Sequence, residues 1–137
     1  MSKPRYEVIP VGWVESPLTS RSEAPRQGSD APPAWIAFEP TVRDAISDLR
    51  TGTDILVLTW LDRAHREVLR TRPRGDPQRR ERGVFSTRSP DRPNPIGLHR
   101  VRIVAVDGLR IQVHGLEAID GTPVADIKPV LDTGAER

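Results

Sequence analysis

The chain has 137 residues, with 21 lysines and arginines against 19 acidic residues, and no cysteine. This length suits one domain with a real hydrophobic core, and the net charge of +2 does not by itself indicate a polyanionic partner. The lack of cysteine excludes disulfides and zinc–thiolate sites. No apolar run approaches the roughly 20 residues of a membrane span, and the N-terminus lacks a signal-peptide core. We therefore expect a cytoplasmic protein that does not enter membranes.

The first half of the chain predicts strands, a long loop and one helix. Residues 6–14 alternate and are rich in β-branched side chains, which predicts the first strand. A long Ser-, Pro- and Gly-rich loop over 16–33 precedes a second strand at 34–38. An N-capped helix is predicted over 42–49, with its apolar residues on one face. The nearly continuous apolar run at 54–61 predicts a buried strand.

A basic segment follows the buried strand. Between Asp62 and Arg82 there are eight arginines and four acidic residues. We interpret this segment as a loop that tracks a phosphate backbone. The alternative is a solvated, flexible loop in a chain that prefers arginine to lysine throughout.

The second half predicts short strands separated by turns. Strands at 98–106 and 109–116 are joined by an Asp-Gly dipeptide at 107–108, which is a strong hairpin signal. A second Asp-Gly at 120–121 makes a turn before a last short strand at 124–127. Many short strands, Asp-Gly turns and one short helix predict a mainly β fold, a single antiparallel β-barrel domain that spans the whole chain.

The run at 83–98, GVFSTRSPDRPNPIGL, is the most informative part of the chain. Its three prolines fix backbone dihedrals and remove amide donors, so it can be neither an interior helix nor a central strand. Arg88 and Arg92 project from this stiffened loop, with Ser89 and Asn94 as further hydrogen-bonding groups. A rigid backbone with forked donors is what a preorganised anion or ligand site needs. A Pro-rich surface turn with solvated arginines is the alternative.

A second block, DGTPVADIKP at 120–129, accompanies this motif loop. Together the two blocks resemble the TrmO/TsaA-like (YaeB) family, whose patterns read roughly GVFATRSPxRPNPIGL and DGTPVxDIKPY. Weaker matches are VGWVESP at 11–17 and PRQ at 25–27. Members of the family are S-adenosylmethionine-dependent tRNA methyltransferases built on a small β-barrel. The resemblance implies that fold and that activity. The sequence has no Gly-x-Gly-x-x-Gly loop after a predicted strand, so the usual signature of a dinucleotide-type cofactor loop is missing.

The resemblance also implies a set of residues around the S-adenosylmethionine cofactor. They come from the loop after the first strand, the end of the buried strand and the two blocks: Gln27, Gly28, Arg63, Ala64, Arg88, Leu98, Gly121, Thr122, Pro123 and Val124. Arg88 is the best candidate among them, because an arginine can bind the cofactor carboxylate with two parallel hydrogen bonds. Leu98 would supply an apolar contact.

tRNA is the expected partner, and three further residues are expected to contact it: Arg92, Asn94 and Lys128. The basic segment at 63–82 would steer the anticodon stem-loop. The family resemblance further implies a homodimer, with the cofactor near the subunit interface.

Asp126 is the candidate catalytic residue, a general base that accepts the proton lost by a methylated nitrogen. Alternatively, Asp126 and Lys128 form an exposed ion pair on one strand face. The three histidines, His65, His99 and His114, lack metal-ligand spacing, and we expect no metal.

The chain also departs from the family pattern. Val130 stands where the family usually has tyrosine, and Asp54 and Asp62 stand where several members have histidine. We expect no C-terminal domain of the kind that helps longer bacterial members grip tRNA. The predicted reaction is N6-methylation of threonylcarbamoyladenosine next to the tRNA anticodon. The alternatives are a barrel that binds S-adenosylmethionine or RNA without that activity, and a methyltransferase with another substrate.

Overall fold

The computed structural model describes residues 3–19, 32–73 and 76–131. Within these ranges the chain forms eight strands and two short 3-10 helices. The strands are β1 (Gly12–Glu15), β2 (Ala34–Phe38), β3 (Asp54–Trp60), β4 (Arg70–Thr71), β5 (Arg82–Gly83), β6 (Ile96–Asp107), β7 (Arg110–His114) and β8 (Pro123–Pro129). The 3-10 helices are Pro40–Ile46 and Val84–Ser86.

Six of the strands form one antiparallel sheet in the order β1-β2-β7-β6-β3-β8. Strand β8 also pairs with β1, so the sheet closes on itself as a barrel. Strand β3 lies between β6 and β8, which carry the two sequence blocks. The predicted mainly β, antiparallel architecture is confirmed.

The barrel interior is filled by alternate residues of each strand. On β3, Ile55, Val57 and Thr59 are buried, whereas the residues between them are half-exposed. The same alternation runs along β6 from Gly97 to Ile103. The largest fully buried aliphatic side chains in the described ranges are Ile36, Ile103, Ile111, Leu116, Val14, Val57, Val113 and Val124. The low aromatic content of the sequence agrees with this aliphatic core.

Most predicted elements are found close to their predicted places, but the first strand is shorter than predicted. Strand β1 begins at Gly12, and Tyr6 and Ile9 are exposed. Pro10 has no amide proton to donate to a neighbouring strand, and pairing begins immediately after it, where the Val11 amide donates to the Val124 carbonyl at 2.8 Å.

The predicted helix at 42–49 is a shorter 3-10 helix, Pro40–Ile46. Val42 has non-helical dihedrals (φ −105°, ψ 16°), so an α-helix does not propagate through it. Three half-buried apolar side chains, Val42, Ile46 and Leu49, pack against the core, as predicted for one helix face.

The basic segment contains a two-stranded hairpin, β4–β5, where a loop was predicted. Cross-strand side-chain contacts brace it: Arg70 Nε lies 3.1 Å from Glu81 Oε1, and Arg72 Nη1 donates to the Arg79 carbonyl at 2.8 Å. The loop prediction was wrong here because strands of only two residues, Arg-Thr and Arg-Gly, are too short to show any alternation of apolar and polar residues.

No helix in the described ranges is both long and apolar enough to cross a membrane. The described residues also contain no group of three or more His, Asp or Glu side chains placed to hold a metal ion.

Candidate functional site

The end of strand β3 brings the two sequence blocks together. Thr59 lies opposite Gly97 on β6 and opposite Val124 on β8. Trp60 lies opposite Ile96, at the end of the motif loop. The register between β3 and β8 shifts between Leu58 and Thr59, an irregularity of the kind often found next to active sites. Gly97 and Val124, which belong to different sequence blocks, thus face the same residue at the end of β3.

Arg92 holds the motif loop together from within. Its Nε donates to the Ser89 carbonyl at 2.7 Å, and its Nη2 donates to the carbonyls of Val84 (2.8 Å) and Thr87. The side chain is half-buried. These bonds direct the guanidinium into the loop and tie its backbone together. The expected contact of Arg92 with RNA stays a prediction.

The turn after β3 is fixed to the same loop. The Leu61 amide donates to the Pro95 carbonyl at 2.8 Å. Arg66 donates from Nε to the Pro93 carbonyl at 2.6 Å and from Nη2 to Asn94 Oδ1 at 2.9 Å. Its guanidinium also lies 5.1 Å from the centre of the Trp60 ring, within the range of a cation–π contact.

The sequence did not predict a separate role for Arg66. It was counted only as part of the basic segment, although it contacts Asn94, a predicted substrate-binding residue. The only sequence signal for it is its position in the turn that follows a buried strand.

A cleft of about 730 Å³ opens beside these contacts. It joins the N-terminal segment, the end of β3, the end of the motif loop and the start of β8. Its lining residues are Arg5, Tyr6, Val8, Pro10, Trp60, Arg66, Asn94, Ile96, Pro123, Val124 and Ala125. Three of the predicted site residues, Asn94, Pro123 and Val124, therefore share one cleft. Val124 is fully buried and supports the cleft wall from beneath.

The turn at 120–121 lies against the segment that follows β1. Gly121 adopts a positive φ of 82° and its amide donates to the Val14 carbonyl at 2.7 Å. The Asp120 amide donates to the Leu18 carbonyl at 2.6 Å. Thr122 is buried and its Oγ1 donates to the Ile119 carbonyl at 2.7 Å, so its side chain stabilises the turn.

Arg63 lies against the same segment, because its Nη1 donates to the Thr19 carbonyl at 3.0 Å. Ala64 is half-buried in the turn after β3, with its amide bonded to the Leu61 carbonyl at 2.9 Å. Gln27 and Gly28 lie outside the described residues. Thr19 is the last described residue before them.

Arg88 and Leu98 are both exposed. The Arg88 side chain makes no hydrogen bond or ion pair with any residue in the described ranges, which leaves its guanidinium available to a ligand. Leu98 lies on the outer face of β6, opposite Leu58, and is 48% exposed, as is Ile96.

Asp126 and Lys128 form the ion pair that was the alternative interpretation. Asp126 Oδ2 lies 3.3 Å from Lys128 Nζ, and both side chains are more than half exposed. The other carboxylate oxygen accepts the Ile127 amide at 2.9 Å. These contacts do not test whether Asp126 acts as a general base, so that role stays a prediction.

A buried polar pair lies behind the site. Thr59 Oγ1 is 2.9 Å from His99 Nε2, and the exposed fractions of the two residues are 0% and 8%. His99 Nδ1 has no hydrogen-bond partner within the described part of the chain. Burial lowers the pKa of His99 to about 4 from its ordinary value of 6.5, so the ring is neutral near pH 7.

Acid should therefore weaken the fold through His99. The unfolded chain takes up this proton near pH 6.5 and the folded chain only near pH 4, so stability is full above this window and is lost as the pH falls through it. Between pH 7 and 4.5 this one group should lower the free energy of unfolding by about 2 kcal/mol. Urea denaturation at the two pH values measures the loss. A His99→Gln variant, which cannot titrate, should lose correspondingly less; an equal loss in both proteins would contradict the prediction.

The chain matches known proteins over most of its length. Residues 13–134 match the family model described as the tRNA-methyltransferase O N-terminal domain. An Archaeoglobus fulgidus protein named "S-adenosyl-L-methionine-binding protein" is 47% identical over 121 residues, which cover 87% of this chain and 85% of that protein. A Methanothermobacter thermautotrophicus protein named "Probable S-adenosyl-L-methionine-binding protein" is 47% identical over 130 residues, covering 94% and 93%.

Other similar proteins are longer than this chain. A second A. fulgidus protein, which has the same name as the M. thermautotrophicus protein, is 47% identical over 124 residues. These residues cover 90% of this chain but only 33% of that protein. The crystal structure of TrmO from Pseudomonas aeruginosa superimposes with a TM-score of 0.76 at 27% identity, and covers 98% of this chain and 61% of the other.

Proposed function

We propose, since the chain belongs to the tRNA-methyltransferase O N-terminal domain family, that it transfers a methyl group from S-adenosylmethionine to tRNA. The acceptor we propose is N6 of threonylcarbamoyladenosine next to the anticodon. The observation that carries the proposal is the meeting of the two sequence blocks at the end of β3, beside one cleft. The relatives named for binding S-adenosylmethionine support the cofactor.

The residues of the cleft fit this cofactor. Its volume of about 730 Å³ falls in the range of about 300–1,000 Å³ typical of small-molecule sites. Trp60, Ile96 and Pro123 provide apolar and aromatic surface for a purine, and the Asn94 side chain is an amide near them. Arg66 lines the same cleft, and the free guanidinium of Arg88 lies in the adjoining motif loop, so cations are available for a carboxylate.

When bound, S-adenosylmethionine supplies an activated methyl group. The work left to the protein is to hold donor and acceptor in line and to exclude water. Arg92 and Arg66 fix the motif loop by five hydrogen bonds to its carbonyl and amide oxygens. This preorganisation leaves little entropy to be lost on binding. We propose that Arg88 binds the cofactor carboxylate, because its guanidinium would be repelled by the sulfonium.

The acceptor nitrogen has to lose a proton during transfer. Asp126 is our proposed base, and Lys128, whose Nζ lies 3.3 Å from its carboxylate, would bind a phosphate of the RNA. Asn94 is the proposed contact for the acceptor nucleotide, since it lies in the cleft with its Oδ1 already oriented by Arg66.

The Arg88→Ala variant tests cofactor binding. Loss of a bidentate charged contact should weaken S-adenosylmethionine binding by about 10- to 100-fold. Isothermal calorimetry measures the affinity. Arg43→Ala is the matched control, because Arg43 is also an exposed arginine but lies on the 3-10 helix at 40–46. Equal affinities for Arg88→Ala and the wild type would remove Arg88 from the site.

A second candidate function is binding of the cofactor without methylation of that tRNA nucleoside. The names of the archaeal relatives favour it, since they state binding only. A methylation assay separates the two, using tRNA with and without threonylcarbamoyladenosine. Methyl transfer to the modified tRNA alone supports the first function. Cofactor binding with no transfer to either tRNA supports the second.

We also propose a cytoplasmic homodimer, as expected from the sequence. Ile96 and Leu98, both 48% exposed on the outer face of β6, give an apolar surface beside the cleft that a second subunit would cover. Light scattering at micromolar concentration tests the dimer, and a strict monomer would rule it out.

A further inference from the structure

The β4–β5 hairpin carries a second cleft, of about 820 Å³. It is open to solvent and is lined almost entirely by polar and charged residues. They are Arg70, Arg72, Arg80, Glu81, Arg82, Gly83 and Ser86. The function proposed above assigned no individual role to these residues.

The positive charge of this cleft is only partly compensated. Glu81 pairs with Arg70 at 3.1 Å, and Arg72 is oriented by the Arg79 carbonyl. The side chains of Arg80 and Arg82 are exposed and have no hydrogen bond or ion pair with any residue in the described ranges. Like charges this close on a short hairpin repel one another, and a polyanion relieves that repulsion.

An exposed aromatic side chain follows the hairpin directly. Phe85 is 84% exposed, between the buried Val84 and Ser86, which lines the cleft. Its backbone is fixed on both sides, because the Val84 amide donates to the Leu69 carbonyl at 3.0 Å and the Thr87 amide donates to the Val84 carbonyl at 3.1 Å. A large aromatic ring held in water by ordered backbone is a platform for stacking.

The hairpin and the motif loop share an anchor. The Val84 carbonyl accepts a hydrogen bond from Arg92 Nη2 at 2.8 Å, and the Val84 amide closes the base of the hairpin at Leu69. A ligand on the hairpin is therefore held in a fixed relation to the loop that borders the cofactor cleft.

We propose that Phe85 and the hairpin arginines form a binding site for an unpaired stretch of RNA. One nucleobase stacks on Phe85, and the neighbouring phosphates bind to Arg80 and Arg82. An aromatic ring next to free cations matches the alternation of base and phosphate along a single strand. The inference rests on the proposed function and names the part of the RNA that this surface recognises.

Fluorescence anisotropy tests the site with a labelled single-stranded RNA oligonucleotide and an RNA duplex of the same length, over a salt series. The variants are Phe85→Ala, Phe85→Trp and the double variant Arg80→Ala/Arg82→Ala. Arg43→Glu is the control for the double variant, because it changes the net charge by the same amount on another part of the surface. Calorimetry with S-adenosylmethionine runs in parallel and shows whether each variant keeps its cofactor affinity.

The two kinds of contact predict different results. Phe85→Ala should weaken single-strand binding about 5- to 100-fold with little change in the salt slope, and Phe85→Trp should retain affinity. The double arginine variant should reduce the slope of log K against log salt by about 2, whereas Arg43→Glu should not. Duplex affinity should be the same for Phe85→Ala and the wild type.

Three results would overturn the inference. They are equal single-strand affinity for Phe85→Ala and the wild type, an equal salt slope for the double variant and Arg43→Glu, and an equal loss of single-strand and duplex affinity in Phe85→Ala. If the wild type binds no RNA but still binds S-adenosylmethionine, the RNA site fails while the cofactor proposal stands. If it binds RNA as described but methylates none, the site stands and the methyltransferase proposal fails.

Discussion

Replacing Gly97 with alanine should lower the free energy of unfolding by about 2–4 kcal/mol. A β-carbon at this position would lie 2.4 Å from Thr59 Oγ1 and 2.7 Å from His99 Nε2. Both groups are buried and bonded to each other at 2.9 Å. The new methyl group would therefore break a buried hydrogen bond and force the strands apart at the end of β3.

Chemical denaturation measures this loss, with Gly83→Ala as the control. An added β-carbon at Gly83 meets no atom within 4 Å, so that variant should stay within about 0.5 kcal/mol of the wild type. In a Thr59→Ala background the Gly97→Ala substitution should cost much less, because the nearest obstacle is gone. An equal cost in both backgrounds would show that the contact with Thr59 does not matter.

Removing the Arg92 side chain should reduce S-adenosylmethionine affinity by about 10- to 100-fold, although the structure gives it no contact with the cleft. Its three hydrogen bonds to backbone carbonyls contribute about 2–3 kcal/mol to the order of the motif loop. If the loop is disordered in the free protein, the free energy needed to order it is subtracted from the binding free energy, and the affinity falls. Arg92→Lys should be nearly as weak as Arg92→Ala, because an ammonium group cannot reach all three carbonyls with the geometry of a guanidinium.

Calorimetry distinguishes this bracing role from the RNA contact predicted from sequence. A loop brace affects cofactor binding in the absence of any RNA. If Arg92→Ala binds the cofactor as well as the wild type, and only loses RNA affinity with a smaller salt slope, the original interpretation is correct and the brace is unimportant.

The sequence predicted the sheet well where a short run of apolar residues marks a strand. Strand β2 is found at its predicted bounds, Ala34–Phe38, and β3 ends one residue earlier than predicted. The hairpin in the basic segment was missed because each of its strands has only two residues, and the contacts that accompany the pairing are made by arginine side chains. No pattern of hydrophobicity marks such strands.

The candidate site was only partly predictable for a related reason. Each sequence block is continuous, so its residues could be read directly from the chain. The Thr59–His99 pair joins residues 40 positions apart and depends on the register of β3 against β6. The hydrogen bonds of Arg92 depend on where the loop backbone places the carbonyls of Val84, Thr87 and Ser89. Prolines restrict the backbone dihedrals of this loop but do not determine its path.

The closure of the barrel depends on a short seam between the first and last strands of the sheet. Strands β1 and β8 pair only at Gly12–Val124 and Trp13–Pro123, and the amides of Val11 and Val14 add bonds to Val124 and Thr122. Pro123 and Val124 also line the cleft in which we propose that the cofactor binds. A ligand in this cleft would contact both the segment that precedes β1 and the start of β8. Its binding free energy would therefore oppose separation of β1 from β8. We therefore expect the barrel to open less often when the cleft is occupied.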